Sequence, residues 1–315
     1  MLLWIWLAII AQVIYAIVAI FDKSLVTSKT VLHPFSYAFY VSILSALSIL
    51  VFIAGWLPIS LPYGIEIPKF SNLIIPSFTV ISLSITTGVV MFLALVNLYE
   101  GLSKADASDV VPVVSSVGAI GTLILEYLFL DGRYWGLNFL GIMLLILGTF
   151  LVSTFRFNKV VVFHTVISGL SFALYYILIK QTFNLAGFDS GFLYTRLGLV
   201  FAALLVISIP SYRKRIFRKL RGKKVQKRKA GMYVLILKTF SGLASILTLK
   251  AIDMGTVAVV QALAGTQFLV LILASFLFGW YTPVYFGEND LKVKDYVQKV
   301  SAAALITLGL YFSFA

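Results

Sequence analysis

Long apolar segments alternate with short polar segments along most of this chain. About 20 consecutive apolar residues form a helix that crosses the hydrocarbon core of a bilayer. By that criterion the pattern predicts ten spanning helices, over residues 2–21, 34–56, 73–99, 110–130, 134–155, 160–180, 190–209, 231–250, 256–280 and 297–314. We therefore expect an all-α membrane protein with ten transmembrane helices and short connections.

The composition supports a membrane protein. The 315 residues are 61% hydrophobic and only 12% charged, with a mean hydropathy of +1.02. A soluble domain of this length needs far more charge on its surface, so this class of protein is excluded. The chain has no cysteine, which excludes disulfides, thiol nucleophiles and cysteine-based metal sites. No basic residue precedes the first apolar run, so we interpret that run as a retained helix and not as a signal peptide.

Most of the excess positive charge lies in residues 211–230, which we call the basic segment. It holds 11 of the 25 Lys and Arg residues and no acidic residue, while the rest of the chain carries 14 basic and 12 acidic residues. Such a segment between apolar helices favours a cytoplasmic anchor that touches anionic lipid. RNA binding is the weaker alternative, because only Tyr212 and Phe217 could stack on bases. We therefore predict no nucleic-acid partner.

The positions of the basic residues predict how the chain is oriented. Nineteen of the 25 Lys and Arg residues fall in odd-numbered connections between the predicted helices, and four fall in even-numbered ones. Cytoplasmic loops of membrane proteins are enriched in Lys and Arg. We therefore expect a multi-pass protein of the cell membrane, with the odd connections in the cytoplasm and both termini outside.

The two halves of the chain resemble each other. Residues 14–23, IYAIVAIFDK, align with residues 171–180, SFALYYILIK, and residues 101–130 align with residues 251–280 without a gap. The common order and similar offset predict a duplication of five helices, over residues 1–156 and 157–315. Because five is odd, the second copy enters the membrane from the opposite side. Inverted repeats of this kind are typical of secondary transporters.

The segment VVPVVSSVGAIGTLILEYLFLDGRYWGLNFLGIMLLILGTFLVS (residues 110–153) resembles the EamA-like family of the drug/metabolite transporter superfamily. The similarity lies in a proline-initiated helix, an acidic turn and a following helix marked by Gly136, Gly141 and Gly148. The resemblance implies a central cavity lined by helices 1–4 and 6–9, with helices 5 and 10 at the periphery. It also implies both termini in the cytoplasm, whereas the charge count predicts the reverse. Asp131 stands where the family usually has Glu, and the connector before the tenth helix is longer than its counterpart.

Three charged residues lie inside or near the ends of predicted helices. Charges within a membrane are costly and are functional candidates by default. Arg196 lies about 10 Å below the outer boundary, and Glu126 lies near the outer end of the fourth helix. We hypothesise that they form an ion pair or share a substrate site, with Glu126 as a proton carrier; the alternative is that both extend to the outer headgroups. Lys238 lies nearer the cytoplasmic side, with Asp109 as a candidate partner; the alternative is that its side chain extends towards the basic segment.

Uncharged polar residues on the predicted helices suggest a polar cavity. For any one of them, hydrogen bonding between helices is the competing role. The candidate substrate-binding residues, in addition to Arg196, Glu126 and Lys238, are Tyr15, Asn97, Tyr175, Tyr194, Gln261 and Gln267.

The sequence shows no enzyme signature. It contains no HExxH motif, no GxSxG motif and no phosphate-binding glycine loop. We therefore expect no catalytic activity, no cofactor and no metal. The sequence predicts a secondary transporter that moves a small polar or amphipathic metabolite by alternating access. A non-transporting membrane scaffold or sensor is the alternative, and a homodimer is left open.

Overall fold

The computed structural model describes residues 3–27, 33–56, 67–105, 107–132, 134, 136–153, 158–216, 224–278 and 293–314. These residues form helices and connections and contain no strand, which confirms the all-α prediction. The helices are α1 (Leu3–Thr27), α2 (Pro34–Leu44), α3 (Leu50–Ala54), α4 (Phe78–Leu102), α5 (Ala107–Phe129), α6 (Gly136–Val152), α7 (Lys159–Ile207), α8 (Pro210–Ile216), α9 (Lys224–Met254), α10 (Val257–Ala262), α11 (Gly265–Phe278) and α12 (Val293–Phe314), with short 3₁₀ helices at Ser45–Ile49 and Phe70–Asn72.

Several helices are suited to cross a membrane. Five segments of the described chain are long and apolar enough, namely Pro34–Ala54, Phe78–Leu102, Asp109–Phe129, Lys159–Ile207 and Leu235–Met254. Four shorter apolar stretches are Leu3–Ala19, Gly136–Val152, Val257–Leu271 and Val297–Ser313. These lengths are compatible with a membrane protein, and the count of ten spans stays a prediction.

Helix α7 differs most from the sequence prediction, which gives two helices and a connection between residues 180 and 190. Its 49 residues contain one non-helical residue, Gly187, with φ 72° and ψ 168°. Glycine adopts this backbone region readily because it has no Cβ. One residue therefore takes the place of the predicted connection, and it divides α7 into a first arm (159–186) and a second arm (188–207).

The two arms of α7 pack against α4 at different levels. On the first arm, the Ser168 hydroxyl donates to the Ala94 carbonyl at 3.0 Å. On the second arm, a Cβ on Gly198 would lie 2.0 Å from the Ser84 carbonyl oxygen, so the two backbones touch. At 1.5 Å per residue, these arm residues lie about 28 Å and about 16 Å from Gly187, and their partners on α4 are about 15 Å apart. The two arm distances differ by about 12 Å, which is close to the 15 Å between their partners on α4. This agreement shows that the arms fold back on each other about Gly187.

The predicted boundaries also differ from the structure where charged residues lie. Helix α1 continues to Thr27, past the charged residues 22 and 23 at which the sequence predicts its end. Helix α9 begins at Lys224, and α8 covers the start of the basic segment, which the sequence predicts as a loop. Helical hydrogen bonds continue through charged residues, so apolar length underestimates helix length. Residues 57–66, 217–223 and 281–292, which hold two predicted connectors and the middle of the basic segment, lie outside the described residues.

Several helix ends meet at one end of the bundle, which we call the first end. The Trp4 ring of α1 lies against Gly255, just after α9. The Lys180 ammonium of α7 donates to the Gly255 carbonyl at 3.1 Å. Glu126, near the end of α5, accepts a hydrogen bond from the Val257 N–H at the start of α10. The beginning of α1 and the ends of α5 and α9 therefore lie together.

The opposite end, which we call the basic end, holds the described part of the basic segment. Ser36 at the start of α2 donates to the Arg215 carbonyl of α8 at 3.1 Å. The next residue, Tyr37, packs on Tyr99 of α4 with ring centres 4.6 Å apart. Helix α4 then ends beside Lys104. The basic segment and Lys104, which belong to two odd-numbered connections, therefore lie at the same end.

Candidate functional site

Arg196 is a buried cation on the second arm of α7, with 8% of its surface exposed. Its Nη2 group donates to the Ser245 hydroxyl of α9 at 2.5 Å, and its guanidinium carbon lies 5.3 Å from the centre of the Phe192 ring. Its Nε group has no hydrogen-bond partner among the described residues. Arg196 forms no ion pair with another of the residues that the structure describes. The charge is therefore only partly compensated.

Tyr15 brings α1 to this cation. Its hydroxyl lies close to the Ser245 and Thr248 hydroxyls of α9 and within electrostatic range of Arg196. Thr248 itself donates to the carbonyl of Ala244, one turn earlier in the helix. Serine and threonine at i and i+3 face the same side of a helix, which explains why one tyrosine meets both.

Two tyrosines of the first arm of α7 complete the group. Tyr175 lies next to the Arg196 guanidinium, and the neighbouring Tyr176 is also within its electrostatic range. The two tyrosine rings are 4.9 Å apart. We call the whole group the arginine centre, and its members are Arg196, Tyr15, Tyr175, Tyr176, Phe192, Ser245 and Thr248.

The arginine centre lies deep in the bundle. Arg196 and Tyr175 are on opposite arms of α7, at about 14 Å and about 18 Å from Gly187 along the helices. Ser245 lies about 14 Å from the end of α9 at Met254. The hydrocarbon core of a bilayer is about 30 Å thick. In a membrane, these depths correspond to the region near the midplane.

Glu126 lies at the first end, where it binds the start of α10. Its carboxylate accepts hydrogen bonds from the backbone N–H groups of Val257 at 3.0 Å and Ala258 at 2.6 Å. It also accepts from the Tyr134 hydroxyl at 2.6 Å. Burial and then this hydrogen bond raise the pKa of Tyr134, so the hydroxyl stays protonated. A carboxylate here satisfies N–H groups that the helix leaves unpaired.

Lys180 binds the other side of the same turn. Its ammonium donates to the carbonyls of Ile252, Asp253 and Gly255 at 2.8, 2.9 and 3.1 Å. A cation at the end of a helix complements its unpaired carbonyl groups. We call Lys180, Glu126 and the turn between α9 and α10 the turn clamp.

The predicted ion pair between Glu126 and Arg196 is wrong. Glu126 accepts from Tyr134 and two backbone groups of α10, while Arg196 donates to Ser245. The reason is that Glu126 meets the start of a helix at the first end, and Arg196 lies deeper on another element. Both side chains are buried in the bundle.

Lys238 lies in a separate aromatic site nearer the basic end. Its Nζ atom is 3.4 Å from the Tyr99 hydroxyl. It also lies 5.1 Å from the ring centre of Tyr37 and 5.7 Å from that of Tyr99, where the aromatic faces stabilise a cation. Asp109 accepts a hydrogen bond from Ser153 at 3.4 Å. Its pairing with Lys238 stays a prediction.

Asn97 and Tyr194 make contacts outside the arginine centre. The Asn97 side-chain oxygen lies 2.8 Å from Nδ1 of His164, whose Nε2 is 3.3 Å from the Lys104 ammonium. The Tyr194 hydroxyl donates to the Ile74 carbonyl at 2.5 Å, which fastens the segment before α4 to the second arm of α7. These contacts fit the competing role of joining helices.

Gln261 and Gln267 flank a break in the predicted ninth helix. Helix α10 ends at Ala262 and α11 begins at Gly265. A Cβ on Gly265 would lie 2.4 Å from the Thr149 hydroxyl oxygen, so α6 approaches the break closely. Interrupted helices near mid-depth form substrate sites in many secondary transporters. Gln261 lines a narrow crevice beside this break.

Of the nine predicted site residues, the structure brings together Arg196, Tyr15 and Tyr175. Sequence reasoning missed the role of Lys180. Its partners are backbone carbonyl groups some 70 residues away, and no side chain in the sequence identifies them. It also did not place Ser245 of α9 beside Arg196. The 3-residue spacing of Ser245 and Thr248 is the sequence signal that could have indicated a second polar site.

Comparison with known proteins identifies a similar fold and indicates no activity. No protein-family model matches this chain. Over 85 residues, or 27% of the chain, it is 35% identical to an uncharacterized protein of Methanocaldococcus jannaschii, MJ1333.1, and it spans 61% of that relative's length. One solved crystal structure of a protein aligns with 98% of this chain and 96% of its own at a TM-score of 0.64 and 16% identity. At this identity, the chain shares a fold with that protein and takes no function from it.

Proposed function

We propose that this chain is a secondary membrane transporter of the drug/metabolite transporter type. It moves a small polar or amphipathic metabolite by alternating access. The observation that carries the proposal is the arginine centre, where polar groups from α1, both arms of α7 and α9 surround one buried cation. Charged residues inside membrane segments are costly and mark substrate or ion pathways.

Helix packing supports two inverted repeats, residues 1–156 and 157–315. Helix α1 packs on α9, and the first arm of α7 packs on α4 through Ser168 and Ala94. In the predicted numbering of ten helices, these pairs are 1 with 8 and 6 with 3. The repeat matches helix 1 with helix 6 and helix 8 with helix 3, so it converts one pair into the other. Helix α6 packs on α12 and α5 on α10, and these pairs, 5 with 10 and 4 with 9, map onto themselves. Inverted repeats of this kind hold their substrate between the two halves.

The turn clamp gives Glu126 a role in gating under this proposal. Its carboxylate holds the start of α10, so protonation would remove the charge that binds two backbone N–H groups. Release of that turn would loosen the first end. A proton taken up by Glu126 could thereby couple transport to a proton gradient.

We place the protein in the cell membrane, with the first end and both termini outside. The basic segment then lies in the cytoplasm against anionic lipid, because Lys and Arg are retained on that side. The shared position of Arg215 and Lys104 at the basic end supports this orientation.

Reconstitution tests the proposed function. Purified protein in liposomes loaded with a mixture of metabolites should release at least one of them faster than protein-free liposomes, as measured by mass spectrometry. The Arg196→Ala variant should lose this flux, and Arg213→Ala, which removes an exposed charge at the basic end, should keep it. Folded protein that moves no compound of the mixture would favour the scaffold or sensor instead.

A further inference from the structure

We propose that the arginine centre binds the carboxylate or phosphate group of a small organic anion. The binding site is inferred from the geometry alone, and the transport of that anion rests on the proposed function. The occupant is defined by chemistry, as a small organic acid whose oxyanion meets Arg196.

The first argument is the unpaired charge of Arg196. A guanidinium keeps its proton in proteins, so burial does not neutralise it. Its Nη2 group has the Ser245 hydroxyl as acceptor, and its buried Nε group has none among the described residues. An uncompensated buried charge is unfavourable. An oxyanion that accepts from Nε would relieve this cost, because carboxylates and phosphates bind the planar guanidinium through two parallel hydrogen bonds.

The second argument is that other cations towards the first end already have acceptors. Lys180 donates to three backbone carbonyls. Lys250 pairs with Asp253 at 2.9 Å and lies 4.3 Å from the ring centre of Phe188. Arg196 differs from both, since its contacts are the neutral Ser245 and Tyr175 hydroxyls and the Phe192 ring. A negative ligand is therefore drawn to Arg196 and not to these lysines.

The third argument is the character of the surrounding groups. Tyr15, Tyr175 and Ser245 place hydroxyl groups around the guanidinium. Hydroxyls can donate to the remaining oxygens of an anion or to hydroxyl groups elsewhere on it. The arginine centre contains no carboxylate that could hold a metal ion or an ammonium group. The aromatic rings of Phe192 and Tyr176 provide apolar walls for a short carbon skeleton.

Matched pairs of compounds test the charge requirement. We would measure the melting temperature of the purified protein with inorganic phosphate and with monocarboxylates, dicarboxylates and phosphate monoesters of up to six carbons. Each acid is compared with its neutral methyl ester or its phosphate-free alcohol. At least one acid should stabilise the protein in a saturable manner, and its neutral partner should not.

Variants locate the binding to Arg196. Arg196→Gln should weaken the apparent affinity for that acid at least about tenfold, as expected when a charged, two-point contact is lost. Arg213→Gln should leave the affinity unchanged. If Arg196→Gln does not fold, Tyr175→Phe and Ser245→Ala provide the same test, with smaller losses.

The outcomes separate this inference from the proposed function. Stabilisation by neutral or cationic compounds only, by no acid of the panel, or equally in Arg196→Gln would overturn the anion site. Flux of a neutral compound with no acid binding would retain transport and reject the inference. Saturable binding of an acid at Arg196 without flux in liposomes would retain the inference and reject transport.

Discussion

Lys180 and Glu126 hold opposite sides of one turn. The Lys180 ammonium donates to the Gly255 carbonyl at 3.1 Å, and the Glu126 carboxylate accepts from the Val257 N–H at 3.0 Å, two residues further along. The two side chains come from α7 and α5, while the turn joins α9 to α10. Each charge meets the end of a helix dipole of opposite sign. Helix α9 also carries Ser245, so the turn clamp and the arginine centre share one helix.

Loss of the Lys180 charge should destabilise the protein. Lys180→Met leaves three carbonyls without their cationic donor, and hydrogen bonds to charged groups contribute about 1.5–3 kcal/mol. We expect a fall of about 2 kcal/mol in the free energy of unfolding, measured by denaturant titration in detergent. Lys250→Met is the matched control at the same end, because it removes a partly exposed ion pair with Asp253 and a contact with the Phe188 ring. The ion pair is worth about 0–1 kcal/mol and the ring contact about 0.5–1 kcal/mol, so we expect the smaller loss in this variant. Equal losses in the two variants would contradict the role of the turn clamp.

Loss of the Glu126 charge should open the first end. The chain has no cysteine, so a single Thr248→Cys reports on access to the arginine centre without background labelling. Glu126→Gln should increase the rate of its reaction with a membrane-impermeant thiol reagent several-fold, because a neutral amide holds the N-terminus of α10 less strongly.

A second substitution at the first end controls for this effect. Asp189→Asn removes the charge that accepts from the Lys69 backbone N–H and the Asn72 side chain, neither of which belongs to the turn between α9 and α10. It should not change the labelling rate of Thr248→Cys. An equal rise in both variants would indicate general loosening and not release of the turn clamp.

Gly187 should resist substitution for backbone reasons alone. A Cβ there would meet no atom within 4 Å, yet φ is 72°, so Gly187→Ala should cost about 1–3 kcal/mol of folding free energy through strain. Gly242 is the matched control, since it also has no atom within 4 Å of an added Cβ and lies within α9. Gly242→Ala should stabilise the helix by up to about 1 kcal/mol. Thermal unfolding of the two variants should therefore shift in opposite directions.

The orientation can be checked with a fused reporter. A C-terminal fusion to a protein that is active only in the cytoplasm should stay inactive, because the charge distribution places both termini outside. The same reporter inserted after residue 216 should be active. Activity at the C-terminus would reverse the proposed orientation.

The hydropathy pattern predicted the helical architecture well, for a simple physical reason. Apolar runs of membrane length, separated by polar residues, have few alternatives to helices. The pattern failed at Gly187, because a connection made by one residue has no polar or charged composition to reveal it. It also failed at residues 22 and 23, where charge ends the apolar run and leaves helical hydrogen bonding intact.

The arginine centre was predictable only in part. The sequence identified Arg196, Tyr15 and Tyr175 because polar residues on apolar helices stand out. It could not supply the partners, since Ser245 lies 49 residues from Arg196 along the chain. Glu126 was assigned to Arg196 because opposite charges in the same half of a membrane favour a pair. Its real partners are mainly backbone groups, which every residue of a sequence offers equally.

The one-residue turn at Gly187 restricts how the two arms of α7 can move. A connection this short has no slack, so the arms cannot slide apart at the first end. They can only rotate relative to each other about a hinge at Gly187. Small rotations there would be amplified towards the basic end, about 30 Å away along the arms. Tyr175 lies partway along the first arm and Arg196 partway along the second. Any such hinge rotation would therefore change the distance between these two side chains.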